Sequence, residues 1–156
     1  MRIALASDHA GYPLKLEIAA LLHAAGHETV DFGAPSTAPA DLSDHVYPAA
    51  LAVGRGECER GIFVDGVGYG SALISNRIAG VTAVVCQDPF CGYLARAHTD
   101  SNVLCLGGKI IGSAIALEIV RTWLTTDFLD EPKYRERVAK VDEISRRHLV
   151  PLDDLG

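Results

Sequence analysis

Gly66, Gly68 and Gly70 stand at alternate positions in Gly61-Ile-Phe-Val-Asp-Gly-Val-Gly-Tyr-Gly-Ser-Ala-Leu-Ile-Ser-Asn76, where they join a short apolar run to a helical pattern. Glycine takes positive φ angles and lets the backbone approach a ligand closely. A helix that starts after such a turn points unpaired N–H groups and a positive dipole end at an anion. Asp65 ends the apolar run, and Ser71 follows the third glycine. The pattern suits an oxyanion or phosphate held against Gly66 to Ser71, and equally suits a tight strand-to-helix turn with no ligand.

Other polar groups stand at element ends: Asp8 and His9 after the first apolar run, and His98 to Asp100 leading into the fifth. A parallel sheet gathers its strand C-termini on one edge, so these groups are expected to converge with Asp65. A carboxylate and a histidine across one pocket can move protons, with backbone amides to hold an oxyanion. Each residue also has a structural alternative. Ser7 or Asp8 would cap the next helix, Asp65 would bind the amides of its own turn, and His98 would close the end of its helix. Lys133 and Arg137 are four apart and share a helical face, which makes a phosphate clamp if that face meets a pocket and a solvated pair otherwise.

Several chemistries do not fit. The glycine turn is G-x-G-x-G on the third strand and not the G-x-G-x-x-G of a first-strand dinucleotide site, and no Walker sequence follows it. The six histidines form no ligand cluster, and Cys58, Cys86, Cys91 and Cys105 follow no zinc spacing. No metal site is expected. A formal net charge of −6 with no basic cluster argues against nucleic acid as a partner. No apolar run approaches the ~18 residues of a membrane span, and the first strand reaches Asp8 too soon for a signal peptide.

These groups need a scaffold. The chain has 156 residues, 49% apolar and 22% charged, which fits a single domain with one core over residues 1–156. Strands are predicted at 2–7, 28–32, 62–64, 82–86 and 101–106. Helices alternate with them at 14–25, 44–54, 72–78 and 89–98, then from Ser113, read as an N-cap, through Ile115, Ile119, Trp123 and Leu124 toward the sheet. A last helix runs from Pro132 to about His148 with Val138, Val141 and Ile144 as its apolar stripe. Alternation of this kind means right-handed crossovers and a parallel sheet in three layers. The last helix has no strand after it and is expected to pack on another subunit. The cysteines read as free thiols, which places the protein in a reducing compartment, the cytoplasm.

Ser7-Asp-His-Ala-Gly11, the glycine turn, Ala83-Val-Val-Cys86, Ala97-His-Thr-Asp-Ser-Asn-Val-Leu104 and Gly107-Gly-Lys-Ile-Ile-Gly112 together resemble the ribose-5-phosphate isomerase B family over nearly the whole chain. That family also includes the two subunits of galactose-6-phosphate isomerase. The resemblance implies a Rossmann-like α/β/α subunit with a five-stranded parallel sheet and an extra C-terminal helix. It also implies a homodimer or homotetramer with shared active sites, and aldose–ketose interconversion of a phosphorylated sugar without metal or cofactor. By the same resemblance His98 is the ring-opening histidine, and Asp8 and His9 lie on the substrate and phosphate side. Lys133 and Arg137 fall where two arginines reach the phosphate from the neighbouring subunit, and Lys109 falls where some members carry another basic residue.

The chain also departs from the family pattern. Asp65 stands where many members carry a cysteine base, and Ser71 where others carry a glutamate. Val67 replaces a hydroxyl residue, Thr99 replaces an asparagine, and Asp41-Leu-Ser-Asp-His45 keeps two carboxylates but loses two aromatics. Two readings follow. In one, Asp65 abstracts the proton, His98 opens the ring and the amides of Gly66 to Ser71 stabilise a cis-enediolate. In the other, the chain is a subunit of the galactose-6-phosphate isomerase A type that lends Lys133 and Arg137 to a paralogous partner and has no complete site of its own.

Overall fold

The structure is a computed structural model that describes residues 1–152. Five strands, β1 (Arg2–Ser7), β2 (Glu28–Asp31), β3 (Arg60–Asp65), β4 (Ala83–Val85) and β5 (Val103–Gly107), alternate with helices α1 (Tyr12–Ala24), α2 (Leu42–Gly54), α3 (Tyr69–Ser75), α4 (Pro89–Thr99) and α5 (Ser113–Thr125). A terminal helix, α6 (Pro132–His148), follows with no strand after it among the described residues. All neighbouring strands are parallel, in the order β2-β1-β3-β5-β4.

The central strands β1, β3 and β5 are apolar on both faces because helices cover both. On one face Ile3, Leu5, Ile62, Val64, Leu104 and Leu106 meet Leu14, Ile18 and Leu22 of α1 and Ala116, Ile119, Val120 and Trp123 of α5. On the other, Ala4, Ala6, Phe63, Val103 and Cys105 meet Val46, Ala49, Ala50 and Val53 of α2, with Ala72 and Ile74 of α3 beside them. Each fully buried Val, Leu, Ile or Phe contributes about 1.5–3 kcal/mol, so the ends of these three strands form a rigid base for the loops that leave them. The chain leaves β1 and β5 toward the α1/α5 face and leaves β3 toward the α2/α3 face. An open α/β sheet places its ligand crevice where neighbouring connections part in this way, and here that point is the C-terminal end of β3.

Local boundaries differ from the sequence expectation in physical detail. Helix α2 starts at Leu42 because Asp41 caps it, accepting from Ser43 N at 2.8 Å. Ser113 is not the N-cap of α5; Gly112 is, and Ser113 Oγ donates instead to Glu17 at 2.8 Å. Ile115, expected to face the sheet, is half exposed, while Ala116 and Val120 share the buried face with Ile119 and Trp123. In α6 the expected stripe of Val141 and Ile144 lies open at 51% and 60%, and Tyr134 is the helix's buried residue.

Candidate active site

The glycine turn closes around its own carboxylate. Asp65 Oδ1 accepts from Val67 N at 2.8 Å and Gly68 N at 2.5 Å, and Oδ2 accepts from Ser71 N at 2.8 Å and Ser71 Oγ at 2.7 Å. An ionised carboxylate has about four lone-pair sites, and here four donors fill them on a side chain only 4% exposed. Gly68 takes φ 86° at the start of α3, where a side chain would be strained. A Cβ on Gly107 would come within 2.8 Å of the Val67 carbonyl carbon, so the turn after β3 and the end of β5 meet at contact distance. The amides of Val67, Gly68 and Ser71, expected to hold a substrate oxyanion, are thus engaged by an internal anion. Asp65, expected as the proton acceptor, has the geometry of the alternative reading, a carboxylate bound to the amides of its own turn.

Asp8 lies beside this turn with a free oxygen. Its N–H donates to Val64 O at 3.3 Å, and its Oδ1 accepts from Gly11 N at 2.8 Å. Its Oδ2 accepts no hydrogen bond among the described residues, and the residue is half-buried. Neither Ser7 nor Asp8 caps α1; Gly11 occupies that position. Gly11 presses so closely on the end of β3 that an added Cβ would lie 2.0 Å from Val64 O. Lys109 joins from the end of β5. Its N–H donates to Gly66 O at 3.0 Å, Gly108 N–H donates to Asp65 O at 2.8 Å, and the Lys109 chain passes 3.7 Å from where a Gly66 Cβ would be. Lys109 is exposed and has no carboxylate partner among the described residues. His9 is exposed at the same edge. Gly70 is half-buried, and a Cβ there would meet Leu42 Cδ2 at 2.7 Å.

His98 does not join them. The expectation that His98 to Asp100 converge with Asp65 fails because those residues precede β5 and so sit at its N-terminal end. Asn102 N bonds Thr82 O just before β4, and Thr82 shares a cleft with His98. The five residues of β5 separate the two edges by about 16 Å, taking ~3.3 Å per residue. Helix α4, which carries His98, is held by Ser101 Oγ donating to Ala95 O and accepting from Trp123 Nε1, both at 2.9 Å.

The second cluster forms around Tyr134. Its ring stacks on the His98 imidazole with centroids 4.3 Å apart and planes 17° from parallel. Lys133 Nζ lies 4.7 Å and Arg137 Cζ 5.7 Å from the same ring. His98, Thr99 and Arg137 line a cleft of about 310 Å³ with Thr82, Val138, Val141 and Asp142. Thr99 Oγ1 donates to Ala95 O at 2.6 Å and so turns back onto its own helix. Lys133 is paired with Glu131 at 3.0 Å, which raises its ammonium above the usual range. Arg137 has no ion-pair partner among the described residues, so of the two expected phosphate ligands it is the less engaged. Tyr134 was not among the residues singled out from the sequence. An aromatic three residues before Arg137 on one helical face was the signal that marked it.

The sheet order, the glycine turn at its switch point and the cleft at the far edge define a Rossmann-like α/β subunit. The chain belongs to the ribose/galactose isomerase family, whose sequence model matches residues 3–141. It is similar to the ribose-5-phosphate isomerase B of Escherichia coli (strain K12), 37% identical over 146 residues that cover 94% of this chain and 97% of that protein. It is also similar to the D-erythrulose-4-phosphate isomerase of Pectobacterium atrosepticum, 31% identical over 82% of this chain and 85% of that one. The structure of Clostridium thermocellum ribose-5-phosphate isomerase B superposes with a TM-score of 0.92 at 39% identity, covering 95% of this chain and 99% of that one.

Proposed function

We propose that the protein is an aldose–ketose isomerase of a phosphorylated sugar, with each active site completed between two copies of the chain. Family membership supports the reaction class. The observation that carries the shared site is the separation within one subunit: Asp8, Lys109 and the glycine turn lie at one sheet edge, and His98, Tyr134 and Arg137 lie at the other. Groups that far apart do not act on one sugar, whereas the edge of one copy facing the cleft of another brings them together. In that arrangement His98 moves the proton that opens the ring, Arg137 and Lys133 hold the phosphate, and the strand-end edge performs proton transfer at carbon. His9 lies at that edge on the substrate side.

One chain carries both halves, which favours a self-sufficient homo-oligomer over a subunit that only lends residues to a different partner. No helix among the described residues is long and apolar enough to cross a membrane. The four free cysteines support a cytoplasmic location.

The test is an isomerase assay of the purified protein alone with four-, five- and six-carbon sugar phosphates in deuterated water. Interconversion with deuterium uptake at the carbon beside the carbonyl is expected for at least one of them. Binding without exchange for all would replace this reading with that of a supporting subunit.

A further inference from the structure

The base of such a reaction must keep a lone pair free in the resting protein and must carry the proton while the enediolate exists. Asp65 meets neither condition. Four donors already occupy its oxygens, and a proton placed on Oδ1 would face the backbone N–H groups of Val67 and Gly68 and one on Oδ2 that of Ser71, fixed donors that cannot turn away on a residue 4% exposed. The family's other base position holds Ser71, which is itself buried and bonded to Asp65.

Asp8 meets both conditions. The bond from Gly11 N to Oδ1 fixes the carboxylate, and Oδ2 is left over on a half-buried residue where the connections after β1 and β3 part. The backbone bond from Asp8 N to Val64 O sets the residue one position from Asp65 along the neighbouring strand end. Lys109 leaves the neighbouring end of β5 with its Cδ 3.7 Å from where a Gly66 Cβ would lie, a cation without a carboxylate partner among the described residues.

We propose that Asp8 Oδ2 is the general base of the isomerisation and that Asp65 is a positioning residue whose carboxylate holds the glycine turn in shape. The proposal rests on the isomerase reading. Asp8 takes the proton from the hydroxyl-bearing carbon next to the carbonyl. The C–H electron pair becomes the new carbon–carbon double bond, and the carbonyl π pair moves onto its oxygen, where Lys109 faces the negative charge. The proton then returns from Asp8 to the former carbonyl carbon while one proton passes between the two enediol oxygens, so the aldose and ketose differ by no net atoms.

The test is proton NMR of the purified oligomer in deuterated water, starting from a five-carbon ketose 5-phosphate, which closes no furanose ring and so needs no ring-opening step. Wild type, D8N, D8A and D65N are compared. The amide introduced by D8N keeps the oxygen that accepts from Gly11, so the loop survives the change. D8N is expected to lower the exchange rate about a thousandfold, within the usual range for a lost acid–base group. Its affinity for the reduced sugar-alcohol phosphate, read by calorimetry, should stay within about threefold, because a base contributes to the transition state more than to ground-state binding. Added formate should restore part of the exchange in D8A and none in D65N, while D65N retains measurable exchange.

Exchange by D8N within tenfold of wild type would overturn the assignment, as would a loss of sugar-alcohol phosphate binding that accounts for the lost rate. So would the reverse pattern, with D65N folded and silent. If wild type exchanges no sugar phosphate of any length, the isomerase reading itself fails, and this assignment fails with it.

Discussion

Ser71 Oγ donates to Asp65 Oδ2 over 2.7 Å, joining the two positions at which the sequence resemblance implied a catalytic base. One position here holds a carboxylate and the other a hydroxyl, and the two bind each other with neither turned to the crevice. The pair is a clamp on the loop. Replacing Asp65 by Asn puts an NH2 group among N–H donors, and losing hydrogen bonds to a buried charge costs about 1.5–3 kcal/mol each. D65N should therefore melt several degrees lower, at about 2–4 °C per kcal/mol for a chain of this length. S71A removes one donor and leaves the amide, so its shift should be about a third of that in the same scan.

In the proposed reaction His98 and the strand-end edge serve different steps and should separate kinetically. H98N is expected to lower turnover of a ring-closed aldose phosphate by about a hundredfold or more. Deuterium exchange from a ketose phosphate that cannot cyclise should persist near the wild-type rate. Parallel assays with the two substrates check this, and equal loss in both would remove ring opening as the role of His98.

Tyr134 is the buried residue of α6 and stacks on His98, so it ties the helix bearing Lys133 and Arg137 to the histidine. Y134F keeps the stacked ring and should leave aldose turnover within about twofold. Y134A should destabilise by about 3 kcal/mol, as for other buried aromatics cut to Ala. It should also lower kcat and raise KM together, because His98 and Arg137 both lose their support.

The thiols predict an alkaline limit. Burial pushes the Cys86 thiol up to about 12, with the charges of Cys91 and Asp88 adding to it, and burial raises Cys58 and Cys105 as well. Unfolded thiols ionise near pH 9 while the folded ones stay protonated. The unfolded state therefore binds fewer protons above that pH, and stability falls as pH rises toward 12. Below pH 9 the contribution is fully present. Melting temperatures from pH 7 to 11 should show a decline that starts near pH 9 and is smaller in C86A. In the native protein at pH 8 only the exposed Cys91 should react with a thiol reagent, and slowly, because the Asp88 carboxylate beside it raises its pKa.

Much of the scaffold was legible because its signals are local. Short apolar stretches within 2–7, 62–64 and 101–106, with glycine and proline at the helix ends, are enough to specify a parallel sheet. The glycine turn was recognisable for the same reason. What the pattern could not show was the partner of each hydrogen bond: only the folded turn reveals that Asp65 faces inward to Ser71 and Asp8 keeps a free oxygen. His98 was misplaced because a residue that leads into a strand lies at its other end, and a stretch of sequence near a strand does not by itself say which edge it occupies. Tyr134 was missed because its stacking partner His98 lies 36 positions away in the chain, and its spacing to Arg137 marks a shared helical face without naming that partner.

An active site drawn from opposite sheet edges of two copies should be restored by complementation. D8N spoils the edge and H98N spoils the cleft, and each variant alone should be inactive toward a ring-closed aldose phosphate. After subunit exchange in an equal mixture, about half the dimers pair one of each and hold one site with both halves intact, so about a quarter of wild-type activity should appear in a twofold-symmetric assembly. A mixture that exchanges subunits, as native mass spectrometry would show, yet stays as inactive as its components would contradict the shared site.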